Sequence, residues 1–138
     1  MGTMRVEIVS AEQEVFSGEA SMLIATAEAG DVGIYPQHTP MLTRLKAGDV
    51  RLQIEGGEEE VIYISGGILE VTPKIVTVLS DTAMRADDID EAEALKAKEQ
   101  AEQALKDTKA DMNYAKAKAE LAQAAAQLQA LKKLKKLR

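Results

Sequence analysis

The sequence contains no cysteine and no tryptophan, and its aromatic residues are one phenylalanine and three tyrosines among 138 residues. The absence of cysteine excludes disulfide bonds and thiolate chemistry. The scarcity of aromatic side chains predicts a core of Val, Ile and Leu. It also argues against a carbohydrate- or peptide-binding sandwich, which would use exposed rings for stacking. No apolar run approaches the roughly 20 residues that span a bilayer.

Residues suited to catalysis are equally scarce. His38 is the only histidine, and without cysteine it offers little for a metal site or a catalytic triad, so a structural or interface role is favoured. Ser65 precedes two glycines, but Tyr63 occupies the first glycine position of a Gly-x-Ser-x-Gly elbow. No phosphate-binding loop sequence occurs. A stand-alone enzyme is therefore the least favoured class.

Charge is distributed unevenly within a net charge of −6. Residues 1–85 carry 6 basic and 13 acidic side chains, whereas residues 86–138 carry 11 and 10. An acidic body argues against nucleic-acid binding. Cations at a helix end favour the macrodipole, but so dense a cluster predicts one directed contact, with an acidic protein surface or an anionic membrane. This basic tip consists of Lys132, Lys133, Lys135, Lys136 and Arg138.

Residues 1–85 show short alternations of apolar and polar side chains, separated by turn residues. Gly56-Gly57 suits a tight hairpin turn between two of these runs. Many short strands at this spacing favour a β-sandwich or a barrel. The predicted strands are Arg5–Val9, Met22–Ala25, Val50–Ile54, Glu60–Ile64, Ile68–Val71 and Ile75–Leu79.

No glycine or proline follows Arg85, and strong helix formers dominate the remainder. The pattern predicts helices at Ile89–Lys106 and from Asp111 to about Leu137, joined by a turn at Asp107–Ala110. Three acidic residues at positions 87, 88 and 90 could hold a divalent cation, but helix capping explains them more simply. The predicted organisation is a β-sandwich domain at residues 1–85, followed by two antiparallel helices, an α-helical hairpin, at residues 86–138.

Each predicted helix carries a stripe of alanines at helical spacing. Small side chains let two antiparallel helices approach closely, but they bury little apolar area. We therefore expect persistent helices in a hairpin that can open or dock elsewhere. The two stripes are Ala94, Ala97, Ala101 and Ala104, and Ala115, Ala119, Ala122 and Ala126.

Three segments of the sandwich region together carry a specific resemblance. They are Val9–Gln13 with Phe16–Gly18, then Gly30–Pro40 with Leu45 and Gly48, and finally Ser65–Val71 continuing through Val76–Leu79 to Asp81–Ala83. In this order and at this length, the chain resembles the epsilon subunit of bacterial F-type ATP synthase. The resemblance covers nearly the whole chain, although the helical part matches mainly by composition and position.

The resemblance implies a non-catalytic subunit of the central stalk, without a cofactor and without a nucleic-acid partner. Its sandwich would contact the gamma subunit and the membrane rotor ring, coupling proton-driven rotation to ATP synthesis. The subunit would lie peripherally at the cytoplasmic face of the bacterial inner membrane. Asp31, in a turn at Gly30–Gly33, matches the ring contact, while Ser10, His38 and Ser65 match contacts to gamma.

The resemblance also implies a regulatory role for the helices. They would extend along gamma towards the alpha and beta subunits and inhibit ATP hydrolysis, with the basic tip meeting an acidic segment of beta. An alternative is an ATP-sensing module, because some relatives carry Ile/Leu-Asp-x-x-Arg-Ala at the first helix. Here Ile89 and Asp90 are present, but Glu93 replaces the arginine. A carboxylate repels phosphates, so we predict weak or absent ATP binding.

Overall fold

A computed structural model describes residues 2–107 and 111–137, including all side chains in these ranges except those at positions 111 and 112. Nine strands precede two long helices, as predicted for a sandwich followed by a helical hairpin. The elements are β1 (Met4–Val9), β2 (Glu14–Ala20), β3 (Met22–Ala27), β4 (Gly30–Ile34), β5 (Met41–Gln53), β6 (Glu59–Ile64), β7 (Gly67–Val71), β8 (Val76–Leu79), β9 (Ala83–Arg85), α1 (Glu91–Asp107) and α2 (Asp111–Lys136).

The long strand β5 connects the two layers of the sandwich. Its first part, Met41–Leu45, pairs with β7, and the ladder continues through β8 and β1 to β2. Its second part, Gly48–Gln53, pairs with β6, and β3 and β4 extend the layer on the other side. The main core lies between the layers and is built from buried Val, Ile, Leu and Ala side chains.

Four strand segments differ from the sequence prediction. β2, β4, β9 and the first half of β5 form strands that the pattern did not indicate. Gly30–Gly33, expected as a turn, lies in β4, and the turn falls at Glu28 and Ala29 instead. The glycines of β4 are tolerated because it pairs only with β3, at the edge of its layer.

Strand β6 is buried on both faces. Ile62 and Ile64 point into the main core, whereas Val61 and Tyr63 belong to a second cluster beneath the helices. Both faces are therefore apolar, which explains the unbroken run Val-Ile-Tyr-Ile in place of an alternation. The second cluster also contains alanines of both helices and Leu131 of α2.

The helix boundaries agree with the prediction to within two residues. Asp90 caps α1: its Oδ1 accepts a hydrogen bond from the backbone N–H of Glu93 at 3.1 Å. Ala86–Asp88 forms a single 3-10 turn before it. The predicted connecting turn lies, from residue 108 onwards, outside the described residues. A cap by the side chain of Asp111 also lies outside them.

The prediction that both alanine stripes form the contact face of the helices is only partly correct. Of the eight predicted alanines, Ala94, Ala101 and Ala126 are buried and the others are exposed. In α2 the sandwich and α1 instead cover a different set of positions. Alanine occurs on several faces of this helix, so spacing alone did not identify the buried one. The buried residues of α2 are Ala117, Ala124, Ala126, Ala130 and Leu131.

Candidate functional site

Three large apolar side chains are exposed on the outer face of the layer formed by β5, β7, β8 and β1. Leu42 is 69% exposed, Ile68 42% and Leu79 49%. Leu79 lies directly opposite Ile68, so their side chains share a face. Arg44 also lies opposite Ile68, which places Leu42, two residues earlier, on the same face. We call these three residues the outer apolar strip; large apolar side chains exposed together on one face mark a candidate protein-contact surface.

Ser10 and Ser65 lie together at one end of this layer, where both line a shared cavity that also borders the strip at Ile68. The Ser10 hydroxyl accepts a hydrogen bond from the backbone N–H of Gln13 at 3.2 Å. The Ser65 hydroxyl accepts one from the backbone N–H of Thr82 at 3.1 Å. Both serines thus organise the loops that border the strip.

Gly67, two residues after Ser65, fixes the approach of β7 to β8. Its φ is +147°, and a Cβ atom at this position would collide with the backbone carbonyl of Leu79. Only glycine fits such a close approach without a backbone shift. The glycine in this motif therefore has a structural explanation, and it holds Ile68 and Leu79 side by side.

His38 lies near the opposite end of the same layer. Its loop lines a cleft of about 1020 Å³ that also includes Met4 at the start of β1, whereas Val9 at the end of β1 lines the cavity of the two serines. The His38 Nδ1–H donates to the carbonyl oxygen of Thr39 at 2.7 Å. The structure therefore does not bring His38 together with the serines. The length of β1, about 17 Å, separates them.

Asp31 lies in the other layer, on edge strand β4. Its carboxylate is 3.8 Å from the guanidinium of Arg51, and its side chain remains 54% exposed. It borders a groove between the sandwich and α2, which Lys132 and Lys133 also line. The residue predicted for the ring contact thus lies on a different face from the outer apolar strip.

The basic tip is only partly free in this arrangement. Lys133 Nζ donates to Asp49 Oδ2 at 2.7 Å, and Lys135 Nζ donates to Glu91 Oε2 at the same distance. Lys132 and Lys136 are exposed. Arg138 lies outside the described residues. The structure therefore uses two of the predicted docking cations to hold the end of α2 against the sandwich and the start of α1.

Tyr63 is the largest side chain beneath the helices, and it is 1% exposed. Burial raises its pKa above the ordinary value, and a side-chain hydrogen bond with Gln127 of α2 partly offsets this shift. The neutral phenol is therefore the form that the docked hairpin accommodates.

The residues of the expected nucleotide motif serve the start of α1 in this structure. Ile89 is buried in the second cluster, and Asp90 is engaged as the helix cap. Glu93 is exposed. Weak or absent ATP binding stays a prediction.

Sequence reasoning missed the outer apolar strip and Asp49. The strip could have been found, because Ile68 and Leu79 stand at the outward positions of two recognised strands. Asp49 gave no local signal, since its partner Lys133 is 84 positions away. Within residues 2–107 and 111–137, no three His, Asp or Glu side chains converge as a metal site would require. In the same ranges, neither helix combines the length and apolar character needed to cross a membrane.

Comparisons with known proteins agree with this architecture. Residues 3–86 match the family model described as ATP synthase, Delta/Epsilon chain, beta-sandwich domain, and residues 87–132 match the long alpha-helix domain of the same family. The chain is 60% identical over 134 residues to the ATP synthase epsilon chain of Nitrosococcus oceani, covering 97% of this chain and 96% of the relative. It is 56% identical over 136 residues to that of Nitrosospira multiformis, covering 99% and 98%.

Solved structures share the fold at low sequence identity. A chain in the cryo-EM structure of the Euglena gracilis mitochondrial ATP synthase, comprising OSCP, F1 and c-ring, superposes with a TM-score of 0.84 at 18% identity. The match covers 95% of this chain and 82% of that one. The chain therefore belongs to the ATP synthase delta/epsilon family, among its epsilon chains, which are non-catalytic subunits of the ATP synthase complex.

Proposed function

We propose that this chain is a subunit of the central stalk that couples proton-driven rotation to ATP synthesis and whose C-terminal helices inhibit ATP hydrolysis. Its sandwich binds the gamma subunit and the membrane rotor ring, at the cytoplasmic face of the bacterial inner membrane. The observation that carries the binding role is the outer apolar strip, an exposed apolar surface on an otherwise acidic domain.

The gamma contact extends along the whole strip. Leu42 lies towards the His38 end of the layer, and Ile68 and Leu79 lie towards the end with Ser10 and Ser65. The three predicted contact residues thus border one face, with His38 near one end and the two serines near the other. A face at least about 17 Å long is compatible with an interface of standard size.

The ring contact uses the other layer. Asp31 is half exposed on an edge strand, away from the strip, so one sandwich can bind two partners at once. A subunit that joins gamma to a ring needs two such separate faces.

The helices supply the inhibitory function. In the structure they are docked on β6 through Ala94, Ala126, Ala130 and Leu131, with Leu128 and Leu134 partly buried beside them. This cluster has far fewer buried residues than the main core, so less apolar area holds the helices in place. Modest interactions with partners can therefore shift the equilibrium between docked and released hairpins. In the released state, the basic tip meets an acidic surface of the beta subunit, and the hairpin lies near alpha and beta.

A truncation after Arg85 tests the inhibitory role. The main core contains no residue beyond Ala83, so the sandwich should fold without the helices. We expect a reconstituted catalytic complex to hydrolyse ATP faster with the truncated chain than with the full chain, while gamma still binds. Unchanged hydrolysis would mean that the helices do not inhibit.

A matched pair of substitutions tests the gamma-binding face. Ile68→Glu places a charge in the strip and should weaken binding to gamma by at least about ten-fold, because a buried unpaired carboxylate is strongly unfavourable. Leu95→Glu is the control, since Leu95 of α1 is 45% exposed and lies off the strip. Equal gamma affinity for both variants would refute the assignment of this face.

A further inference from the structure

The contact between Asp49 and Lys133 joins β5 to the end of α2. Lys133 Nζ donates to Asp49 Oδ2 at 2.7 Å. The Asp49 side chain is 3% exposed and that of Lys133 is 27% exposed. Among the described residues, Asp49 is the only charged residue that is buried. A buried carboxylate depends on its partners far more than an exposed one does.

The other cation near Asp49 does not replace Lys133. Arg51 Nε is 3.6 Å from Asp49 Oδ1, and this nitrogen is buried without a hydrogen bond in the described part of the chain. Arg51 also faces Asp31 at 3.8 Å. With the hairpin docked, two carboxylates therefore meet two cations. When the hairpin leaves, one cation faces both carboxylates.

A second ion pair at the same helix end provides an internal comparison. Lys135 and Glu91 are also 2.7 Å apart, but their side chains are 64% and 48% exposed. Water and salt screen such a pair, so it contributes little. The two contacts share their geometry and differ in burial.

We propose that Asp49 is the acceptor of an electrostatic latch that holds the hairpin on the sandwich, and that it competes for Lys133 with the acidic surface that the released tip would bind. The effect of the latch on ATP hydrolysis rests on the proposed inhibitory function, but the existence of the latch does not depend on that function. The latch lies on the sandwich side, so changing Asp49 alters the docked state without altering the tip.

A cysteine beneath the helices reports release. The chain has no native cysteine, and Val61 is 2% exposed and packs in the second cluster, not in the main core. Val61→Cys nearly preserves volume, so the rate of thiol labelling in the isolated full chain measures how often the hairpin undocks. In this background, Asp49→Asn should raise the labelling rate by about ten- to a hundred-fold, as expected for the loss of a charged hydrogen bond.

Two further variants complete the test. Lys133→Gln removes the same contact from an exposed helix end and should raise labelling similarly, so it decides the question if Asp49→Asn fails to fold by circular dichroism. Glu91→Gln is the matched control and should change labelling by less than about two-fold. Labelling of Lys133→Gln within two-fold of the Val61→Cys parent would overturn the latch.

Hydrolysis by the reconstituted complex separates this proposal from the proposed function. Asp49→Asn should lower ATP hydrolysis, because more hairpins are released with an intact basic tip. If labelling rises and hydrolysis does not fall, the latch is supported and the inhibitory function is refuted. If labelling does not rise, the latch is refuted whatever the hydrolysis rate.

Discussion

The main core of the sandwich and the cluster beneath the helices differ in the side chains that fill them. The core uses Val, Ile and Leu from strands that are far apart in sequence. Alanines make up half of the buried residues of the second cluster, which also contains Leu131 of α2 and Val61 and Tyr63 of β6. Buried area per residue therefore falls sharply from one region to the other.

This difference predicts that the sandwich core stays packed while the helices dock reversibly. The central strands of the sandwich lose their core contacts when the domain unfolds. The helices keep their backbone hydrogen bonds when they leave the sandwich, so release exposes only the second cluster and a few polar contacts. Adjacent residues on β6 allow this difference to be tested within one strand.

The largest expected effect is on the core face of β6. Ile62→Ala should lower the free energy of unfolding of the sandwich by about 2–5 kcal/mol, because Ile62 is fully buried among core side chains. Urea denaturation followed by circular dichroism measures this loss in the full chain. A loss below about 1 kcal/mol would show that the core is not packed as described.

A smaller effect is expected on the helix face of β6. Tyr63→Phe removes the hydrogen bond with Gln127 and should weaken docking by about 1.5 kcal/mol, while sandwich unfolding changes little. Labelling of the Val61→Cys thiol measures docking, and hydrogen exchange of β6 amides, which pair with β5 and β9, measures opening of the sandwich. A large change in sandwich stability would contradict the separation of the two regions.

The same tyrosine predicts a pH dependence of docking. Burial raises the Tyr63 pKa in the docked state, so the released state loses the phenolic proton more readily. The stabilisation is complete below the ordinary tyrosine pKa of about 10 and is lost as the pH rises through the raised docked-state pKa. Thiol or proteolytic accessibility of β6 should therefore increase in this alkaline range. Tyr63→Phe is the control, because it should remove the part of the alkaline rise that comes from this phenol.

The smallest effect is expected within the hairpin itself. Asp90→Ala removes the N-cap of α1 and should destabilise its first turn by about 1 kcal/mol. Amide exchange near Glu93 measures this local change. Asp88→Ala alters an exposed carboxylate before the helix and should leave the same amides unchanged.

Much of the fold could be predicted from the sequence because local signals were strong. The absence of glycine and proline after Arg85 marked both helices, and Gly56-Gly57 marked a real hairpin with φ of +101° and +91° at the two glycines. β2 and β4 were missed because glycines inside them imitated turns. Their strand conformation depends on pairing with β1 and β3, which no local pattern encodes.

The interaction surfaces were less predictable. Ser10 and Ser65 do border one cavity, but their distance from His38 follows from the length and order of the strands. The sequence predicted that the basic tip meets an acidic surface, but it did not indicate that Asp49 of the same chain is a partner of Lys133. Long-range ion pairs leave no periodic trace in a sequence.

The two-sided burial of β6 has a consequence for the free subunit before it is assembled. In the part of the chain that the structure describes, β9 pairs with β6 only at Ile62, Tyr63 and Ile64, so the first half of β6 has no strand on that edge. With the hairpin docked, the apolar side chains beside this edge are covered. When the hairpin is released, Val61 and Tyr63 become an exposed apolar surface to which other copies of the chain can bind. We therefore expect the docked hairpin to limit self-association of the free subunit. Premature release in the unassembled pool would lead to aggregation, which ties the timing of the motion to the presence of a partner.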